Sequence, residues 1–165
     1  MSALSTGTLA PDFTLPLLKG GEFSLRDALK RGPVVLAFFK ISCPICQFTF
    51  PYLERIYRSY PQGQFTMVGI SEDEDNYTEE FAREYGITFP LALEDVDTYP
   101  VSNAYGLTNV PTIFVISPEG GVQFSVVGWD RRDMEKLNQE VARVSGGTLN
   151  PLFQPGEKVP DSKAG

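Results

Sequence analysis

The stretch Val34-Val35-Leu36-Ala37-Phe38-Phe39 decides the fold, and Cys43-Pro44-Ile45-Cys46 follows it after three residues. Six consecutive apolar residues without alternation are typical of a strand buried on both faces of a parallel sheet. After the cysteines, apolar side chains recur at helical spacing, at Leu53, Ile56, Tyr57 and Tyr60. The sequence therefore predicts a buried strand, a turn that carries two cysteines, and a helix.

Further strand and helix patterns lie before and after this unit in the sequence. Strand patterns, either alternating or continuously apolar, lie at residues 12–17, 65–70, 112–116 and 122–127. Two further helical patterns end at glycines, Gly86 and Gly146. We therefore predict an α/β fold with a mixed central sheet and helices on both faces.

The chain is long enough for one domain, and nothing in it indicates a second. Its 165 residues are 42% hydrophobic, enough to bury a core without disulfide or metal staples. We predict one domain over residues 1–147. Residues 148–165 contain three prolines and no periodicity, so we expect a surface-hugging or loose C-terminal tail.

Charge and composition exclude several functions. The formal net charge of −7 disfavours binding to nucleic acids and to anionic membrane surfaces. The absence of histidine excludes Ser-His and Cys-His nucleophile pairs and imidazole metal ligands. No run of about 18 apolar residues predicts a membrane helix, and no apolar leader opens the chain. We expect a cytoplasmic protein, or a periplasmic one if a leader was removed, with no cofactor and no bound metal.

The two cysteines are spaced for reversible disulfide chemistry. With two residues between them at the first turn of a helix, the sulfurs lie close enough to form a disulfide. Cys43, at the exposed end, faces the positive end of the helix dipole, which favours its thiolate. We predict that Cys43 attacks a substrate disulfide and that Cys46 resolves the mixed disulfide.

Three other interpretations of the pair stay open at this point. A structural disulfide would close a loop of about four residues and contribute only about 2 kcal/mol. Half of a zinc site would need two more ligands, either carboxylates or residues of a second subunit, because the chain has no histidine. The third interpretation is a chance pair of buried thiols.

Several motifs together resemble one family. They are the stretch from Phe38 to Cys46, Pro51 inside the following helix, Val110-Pro111-Thr112, Ala10-Pro11-Asp12-Phe13-Thr14-Leu15, Glu84-Tyr85-Gly86-Ile87-Thr88-Phe89-Pro90 and Ala104-Tyr105-Gly106-Leu107. The chain is similar over about residues 7–144 to the thioredoxin superfamily, and within it to the redoxin branch of AhpC/TSA and TlpA/ResA-like proteins. This resemblance implies a thioredoxin-like fold with an N-terminal β-hairpin extension and a central redoxin-type insertion.

The resemblance also implies roles for residues outside the cysteine pair. Pro111 would be the cis-proline that faces the disulfide, and Val110 would offer backbone groups to an extended substrate. Two positions depart from the family. The buried aspartate of thioredoxins falls at Ala37, and the glutamate that ResA-like proteins carry three residues after the second cysteine falls at Thr49. The proton acceptor that the family uses is therefore missing.

Two charged side chains are candidates for influencing the cysteines. The strands at residues 34–39 and 65–70 are joined by a helix, so they should run parallel and end at the same sheet edge. The acidic loop after the second strand then emerges beside Cys43. We choose its Glu72 as a candidate general base for Cys46, and Lys40 as a charge that would favour the Cys43 thiolate. A solvated loop and a solvent-facing lysine are the alternatives.

We predict a thiol-disulfide oxidoreductase that reduces a protein or small-molecule disulfide and is itself reduced by a thiol electron donor. We expect a monomer or a weak dimer. An antioxidant peroxide reductase is one alternative, but Lys40 and Leu36 occupy the threonine and proline positions of the peroxiredoxin motif Pro-x-x-x-Thr/Ser-x-x-Cys. A redox-sensing or interaction module on the same scaffold is another.

Overall fold

The structure is a computed structural model that describes residues 3–165, so the first two residues of the predicted domain lie outside the described part. The strands are β1 (Thr14–Pro16), β2 (Glu22–Ser24), β3 (Val34–Phe39), β4 (Thr66–Ser71), β5 (Leu91–Leu93), β6 (Thr112–Ile116), β7 (Val122–Val127), β8 (Trp129–Asp130) and β9 (Ser162–Lys163). The helices are α1 (Leu25–Leu29), α2 (Pro44–Ser59), α3 (Asp75–Tyr85), α4 (Pro100–Ala104) and α5 (Arg131–Val144).

Five strands form the central sheet, in the order β5-β4-β3-β6-β7. β3, β4 and β5 run parallel, whereas β6 is antiparallel to β3 and to β7. The predicted mixed sheet is therefore confirmed. Because parallel strands end at the same edge, the residues that follow β3, β4 and β5 meet there, and β6 begins at that edge.

β3 is buried on both faces, as its unbroken apolar sequence predicts. Val35, Ala37 and Phe39 belong to a core that includes buried side chains of α2, α3 and α5. Their neighbours Val34, Leu36 and Phe38 belong to a second core, against α1, α4 and the first hairpin. The strand therefore positions the cysteine turn rigidly, because both of its faces are packed.

The N-terminal hairpin and the helix after the cysteines also form as predicted. β1 pairs antiparallel with β2 around the Gly20-Gly21 turn. α2 is one continuous helix from Pro44 to Ser59 that contains Pro51. Between residues 3 and 165 no helix is both long and apolar enough to cross a membrane.

The C-terminal tail packs against the domain, and its strongest contacts lie at Leu152 and Glu157. Leu152 is buried in the core beside α2 and α5. Glu157 accepts hydrogen bonds from both terminal nitrogens of Arg55, at 2.9 and 3.2 Å. β9 then pairs antiparallel with β8, which brings the last residues back toward the sheet edge described above.

Candidate active site

Cys43 and Cys46 occupy the first turn of α2, where the chain leaves β3. Cys43 is the N-cap residue, and its Sγ accepts a hydrogen bond from the Cys46 N–H at 3.1 Å. A sulfur in this position satisfies one of the amides left unpaired at a helix start, and negative charge is stabilised there. Cys43 is partly exposed, whereas Cys46 is fully buried. One sulfur is therefore open to a reactant and the other is covered.

The loop before β6 contacts the exposed sulfur. Cys43 Sγ lies 3.5 Å from the carbonyl oxygen of Val110, to which the thiol donates. The peptide bond between Val110 and Pro111 is cis. Thr112 fixes the loop by donating from its hydroxyl to the carbonyl of Asn109 at 2.8 Å. Backbone groups of this loop thus lie beside the exposed cysteine.

Burial is the main influence on Cys46. It raises the pKa of the Cys46 thiol strongly, because a thiolate loses its hydration there. The hydrogen bond with the Cys43 side chain and the negative charge of Glu72 raise that pKa further, and only the backbone N–H of Lys40 acts in the opposite direction. Cys46 is therefore a protonated thiol near neutral pH and needs a base before it can react.

Three polar side chains cluster at the sheet edge beside the cysteines. Glu72 follows β4, Glu94 follows β5, and Ser102 lies in α4. The Ser102 hydroxyl lies 2.7 Å from Glu72 Oε2 and 2.6 Å from Glu94 Oε2, and the Ser102 N–H donates to Glu94 Oε1 at 2.6 Å. All three residues are buried. Glu72 is thus tied to a second carboxyl group through one hydroxyl.

The pKa of Glu72 reflects opposing influences. Burial raises it most, the Ser102 hydrogen bond and the Lys40 charge lower it, and the charges of Glu94 and Asp73 raise it again. The net effect is a pKa above the ordinary value. A carboxyl group shifted in this direction is a better proton acceptor near neutral pH than an ordinary surface carboxylate.

Lys40 points toward Glu72. Its Nζ lies 3.9 Å from Glu72 Oε1 and 5.8 Å from the centre of the Tyr99 ring. A cavity of about 230 Å³ lies between these side chains, Ser102 and Val110. Glu72 and Ser102 therefore line a cavity on the side of the Val110 loop, whereas Glu94 does not.

Asp73 holds the turn before the cysteines. Its carboxylate accepts from the backbone N–H of Ile41 at 2.8 Å, and the Gln47 side chain donates to the Ile41 carbonyl at 2.9 Å. The acidic loop therefore touches the cysteine turn, as the parallel arrangement of β3 and β4 predicts.

The structure brings together all the residues singled out in the sequence: Cys43, Cys46, Val110, Pro111, Lys40 and Glu72. Two further residues of the site, Glu94 and Ser102, were not expected from the sequence, whereas Asp73 belongs to the acidic loop that was. Glu94 had a signal, since it directly follows a short apolar strand that ends at the same edge as β3 and β4. The family's glutamate position holds Thr49, which is fully buried, and no residue from 3 to 165 makes a hydrogen bond to its hydroxyl.

Comparisons with known proteins show which family and which fold the chain resembles. The AhpC/TSA family model matches residues 6–125. Thiol-disulfide oxidoreductase ResA from Geobacillus kaustophilus is 33% identical over 137 residues, which cover 82% of this chain and 77% of that protein. The thioredoxin domain of a thiol-disulfide oxidoreductase from Bacteroides vulgatus superimposes with a TM-score of 0.73 at 27% identity, covering 83% of this chain and 97% of the domain.

A putative thiol:disulfide interchange protein DsbE from Chlorobium tepidum gives a TM-score of 0.71 at 28% identity, covering 87% of this chain and 99% of that protein. These likenesses confirm the thioredoxin-like fold that the sequence motifs imply. The family match spans most of the chain, including the hairpin, the cysteine turn and the strand after Pro111. The chain belongs to the AhpC/TSA family.

Proposed function

We propose that this protein is a thiol-disulfide oxidoreductase that reduces disulfides by dithiol exchange, with Cys43 as nucleophile and Cys46 as resolving thiol. The observation that carries the proposal is the asymmetry of the pair. Cys43 caps α2 with its sulfur partly exposed, and Cys46 lies one turn inside, fully buried. The relatives named thiol-disulfide oxidoreductase support the same reaction class.

In the first step the Cys43 thiolate attacks one sulfur of the substrate disulfide. A bond forms between Cys43 and that sulfur, the substrate S–S bond breaks, and the other substrate sulfur leaves as a thiolate. The N–H of Cys46, 3.1 Å from Cys43 Sγ, stabilises the negative charge before attack.

In the second step Cys46 attacks Cys43 in the mixed disulfide. Cys46 gives its proton to a base, its thiolate forms the Cys43–Cys46 bond, and the second substrate sulfur leaves as a thiolate that takes up a proton. Two electrons pass from the enzyme dithiol to the substrate. A thiol electron donor returns them to Cys43 and Cys46 by the reverse exchange.

We assign the base to Glu72. It is the carboxylate whose charge acts on the Cys46 thiol, and its own pKa is raised by burial. Ser102 has one hydroxyl proton but lies at hydrogen-bond distance from both Glu72 and Glu94. The hydrogen bond that Ser102 donates to Glu72 favours the ionised form of that carboxyl group, the form that can accept a proton. Lys40 keeps Glu72 ionised enough to accept.

Val110 and Pro111 would hold the substrate backbone. The Val110 carbonyl already contacts Cys43 Sγ at 3.5 Å, so a main chain aligned with this loop would present its disulfide to the nucleophile. The substrate would be a protein or a small-molecule disulfide.

We further propose that the catalytic domain comprises residues 1–147 and that the protein acts as a reductase in the cytoplasm, which cell fractionation tests. We also propose that it is a monomer or weak dimer, which size-exclusion chromatography tests.

Insulin reduction with a thiol donor tests the proposed reaction. The wild-type protein should accelerate reduction, and Cys43→Ser should lose the activity. Cys46→Ser should form a stable mixed disulfide with substrate at Cys43, visible by mass spectrometry. Ser42→Ala, beside the pair but outside the reacting groups, is the matched control.

Two results would refute the proposal. If Cys43→Ser still reduces insulin, Cys43 is not the nucleophile. Oxidation of Cys43 by peroxide far faster than that of free cysteine, with no disulfide reduction, would favour a peroxide reductase instead.

A further inference from the structure

The C-terminal tail runs from the far end of α2 to the cysteine turn. Near its start, the Asn150 carbonyl accepts from the Asn138 side chain at 2.7 Å. In its middle, Glu157 is held by Arg55, and Tyr52 donates to the same carboxylate at 3.1 Å. These contacts fix the tail upstream of its last residues and direct it toward the active site.

The next residues run beside the segment before α5. Trp129 donates from its indole N–H to the Pro160 carbonyl at 2.7 Å, and the Arg131 N–H donates to the Asp161 carbonyl at 2.8 Å. β9 then pairs with β8, with Lys163 opposite Trp129. The tail therefore continues as an added strand that ends at the Val110 loop.

The last contacts are backbone against backbone. A Cβ atom on Gly128 would lie 2.5 Å from the Lys163 carbonyl oxygen, and one on Gly165 would lie 2.5 Å from the Val110 carbonyl oxygen. Neither position has room for a side chain unless the segment shifts. The Asn109 side chain adds a hydrogen bond to the Gly165 carbonyl at 2.9 Å.

One atom links this segment to the nucleophile. The Val110 carbonyl oxygen that Gly165 approaches is the same oxygen that Cys43 Sγ contacts at 3.5 Å. On the other side of the segment, the Lys163 ammonium lies 5.5 Å from the centre of the ring of Phe48, in α2. Residues 162–165 thus lie between the Val110 loop and α2, beside the cysteine pair.

We infer that residues 162–165 are a specificity-determining segment, which covers the backbone of the Val110 loop and so favours small disulfides over disulfides in extended peptides. This inference rests on the proposed function, because it assigns the substrate class to that site. A small disulfide needs only the exposed Cys43 sulfur. An extended peptide needs the loop backbone as well, and must first displace the segment.

Displacement is feasible because the segment is weakly held. β9 has two residues, both exposed, and the only side-chain hydrogen bond to Gly165 within residues 3–165 comes from Asn109. The strong anchors, at Asn150 and Glu157, lie upstream. The segment can therefore leave while the rest of the tail stays in place.

Deletion of residues 162–165 tests the inference. We expect kcat/KM for a synthetic disulfide-bonded peptide to rise about tenfold, the effect of removing one weakly held contact of about 1.4 kcal/mol. We expect kcat/KM for oxidised glutathione to change less than about twofold, which corresponds to well under 1.4 kcal/mol. Gly165→Val, which pushes the segment from Val110 without shortening the chain, should act in the same direction. Leu149→Ala, at an exposed tail position, is the control.

Equal changes for both disulfides, or a loss of peptide reduction on deletion, would overturn the inference. An independent readout separates it from the proposed function. In NMR spectra of the full chain, the amide signals of Asn109 and Val110 should move in Gly165→Val and stay unchanged in Leu149→Ala. If wild type and variants reduce neither disulfide, the proposed function fails. If the Asn109 and Val110 signals stay unchanged in Gly165→Val, the segment's placement fails instead.

Discussion

The hydroxyl of Ser102 lies 2.7 Å from the carboxylate of Glu72, the group proposed to accept the Cys46 proton. This hydrogen bond lowers the pKa of Glu72 against the effect of burial. Ser102→Ala removes it, so the pKa of Glu72 should rise. Because only ionised Glu72 accepts a proton, the acid limb of the resolution rate should move to higher pH. Rate-pH profiles of the second step measure this, and an unmoved limb would exclude the coupling.

Replacing the base itself should affect one step more than the other. Glu72→Gln should slow resolution by about a hundredfold, within the range of general base catalysis, while the first attack by Cys43 keeps its rate. Rapid quenching should then reveal accumulated mixed disulfide.

Glu74→Gln, in the same acidic loop, is the matched control for Glu72→Gln and should behave like wild type. Equal slowing of both steps in Glu72→Gln would argue for a structural role only.

The charge of Lys40 should act through Glu72. Lys40→Met removes the ammonium 3.9 Å from Glu72 and should raise the pKa of that carboxyl, which again moves the acid limb to higher pH. Lys40→Arg keeps the charge and should restore the profile. Thiolate absorbance of Cys43, titrated in Lys40→Met, shows whether the lysine also acts on the nucleophile.

The orphan hydroxyl of Thr49 should cost stability. It is fully buried in α2, and within residues 3–165 it has no hydrogen-bond partner. Thr49→Val keeps the shape and removes the unsatisfied group, so the free energy of unfolding should rise by about 1 kcal/mol.

Thr78 provides the contrast. It is equally buried in α3, but its hydroxyl bonds to Ser71 at 2.6 Å and to the Glu74 carbonyl at 2.9 Å. Thr78→Val should therefore destabilise the protein. Urea unfolding measures the free energy of unfolding of both variants. A lower value for Thr49→Val than for the wild type would contradict the prediction.

The tail anchor should weaken in acid. Hydrogen bonds from Arg55 lower the pKa of Glu157 from 4.5 to about 2. A carboxylate with a depressed pKa in the folded state stabilises above its ordinary pKa, and this stabilisation is lost as the pH falls toward the depressed value.

Limited proteolysis of the tail by an acid-active protease should therefore increase as the pH drops from about 4.5 toward 2. In Arg55→Met, which lacks the partner of Glu157, a protease that is active at neutral pH should already cleave the tail faster than in the wild type. Tail cleavage that does not depend on pH in the wild type would refute the role of this pair.

The parts of the site that follow from local patterns are predictable, and the parts that depend on side-chain packing are not. The run Val34–Phe39 predicts the strand, and the helical spacing after the cysteines predicts the turn and the helix, because these patterns are local to the sequence. The parallel strands predict that the acidic loop with Glu72 emerges beside Cys43. The Ser102 bridge depends on how α4 packs, which no periodicity reveals. The path of residues 148–165 is equally hidden, because backbone contacts of glycines and prolines carry no hydrophobic pattern.

The complete burial of Cys46 has a consequence for chemical damage. Oxidants and alkylating agents in solution can react with Cys43 but not with the buried Cys46, so chemical damage is confined to one sulfur. Cys46 can react only with the Cys43 sulfur, after that sulfur has been oxidised or has formed a mixed disulfide. When an oxidant converts Cys43 to a sulfenic acid, the Cys46 thiol can condense with it to form the Cys43–Cys46 disulfide. This reaction prevents further, irreversible oxidation of Cys43.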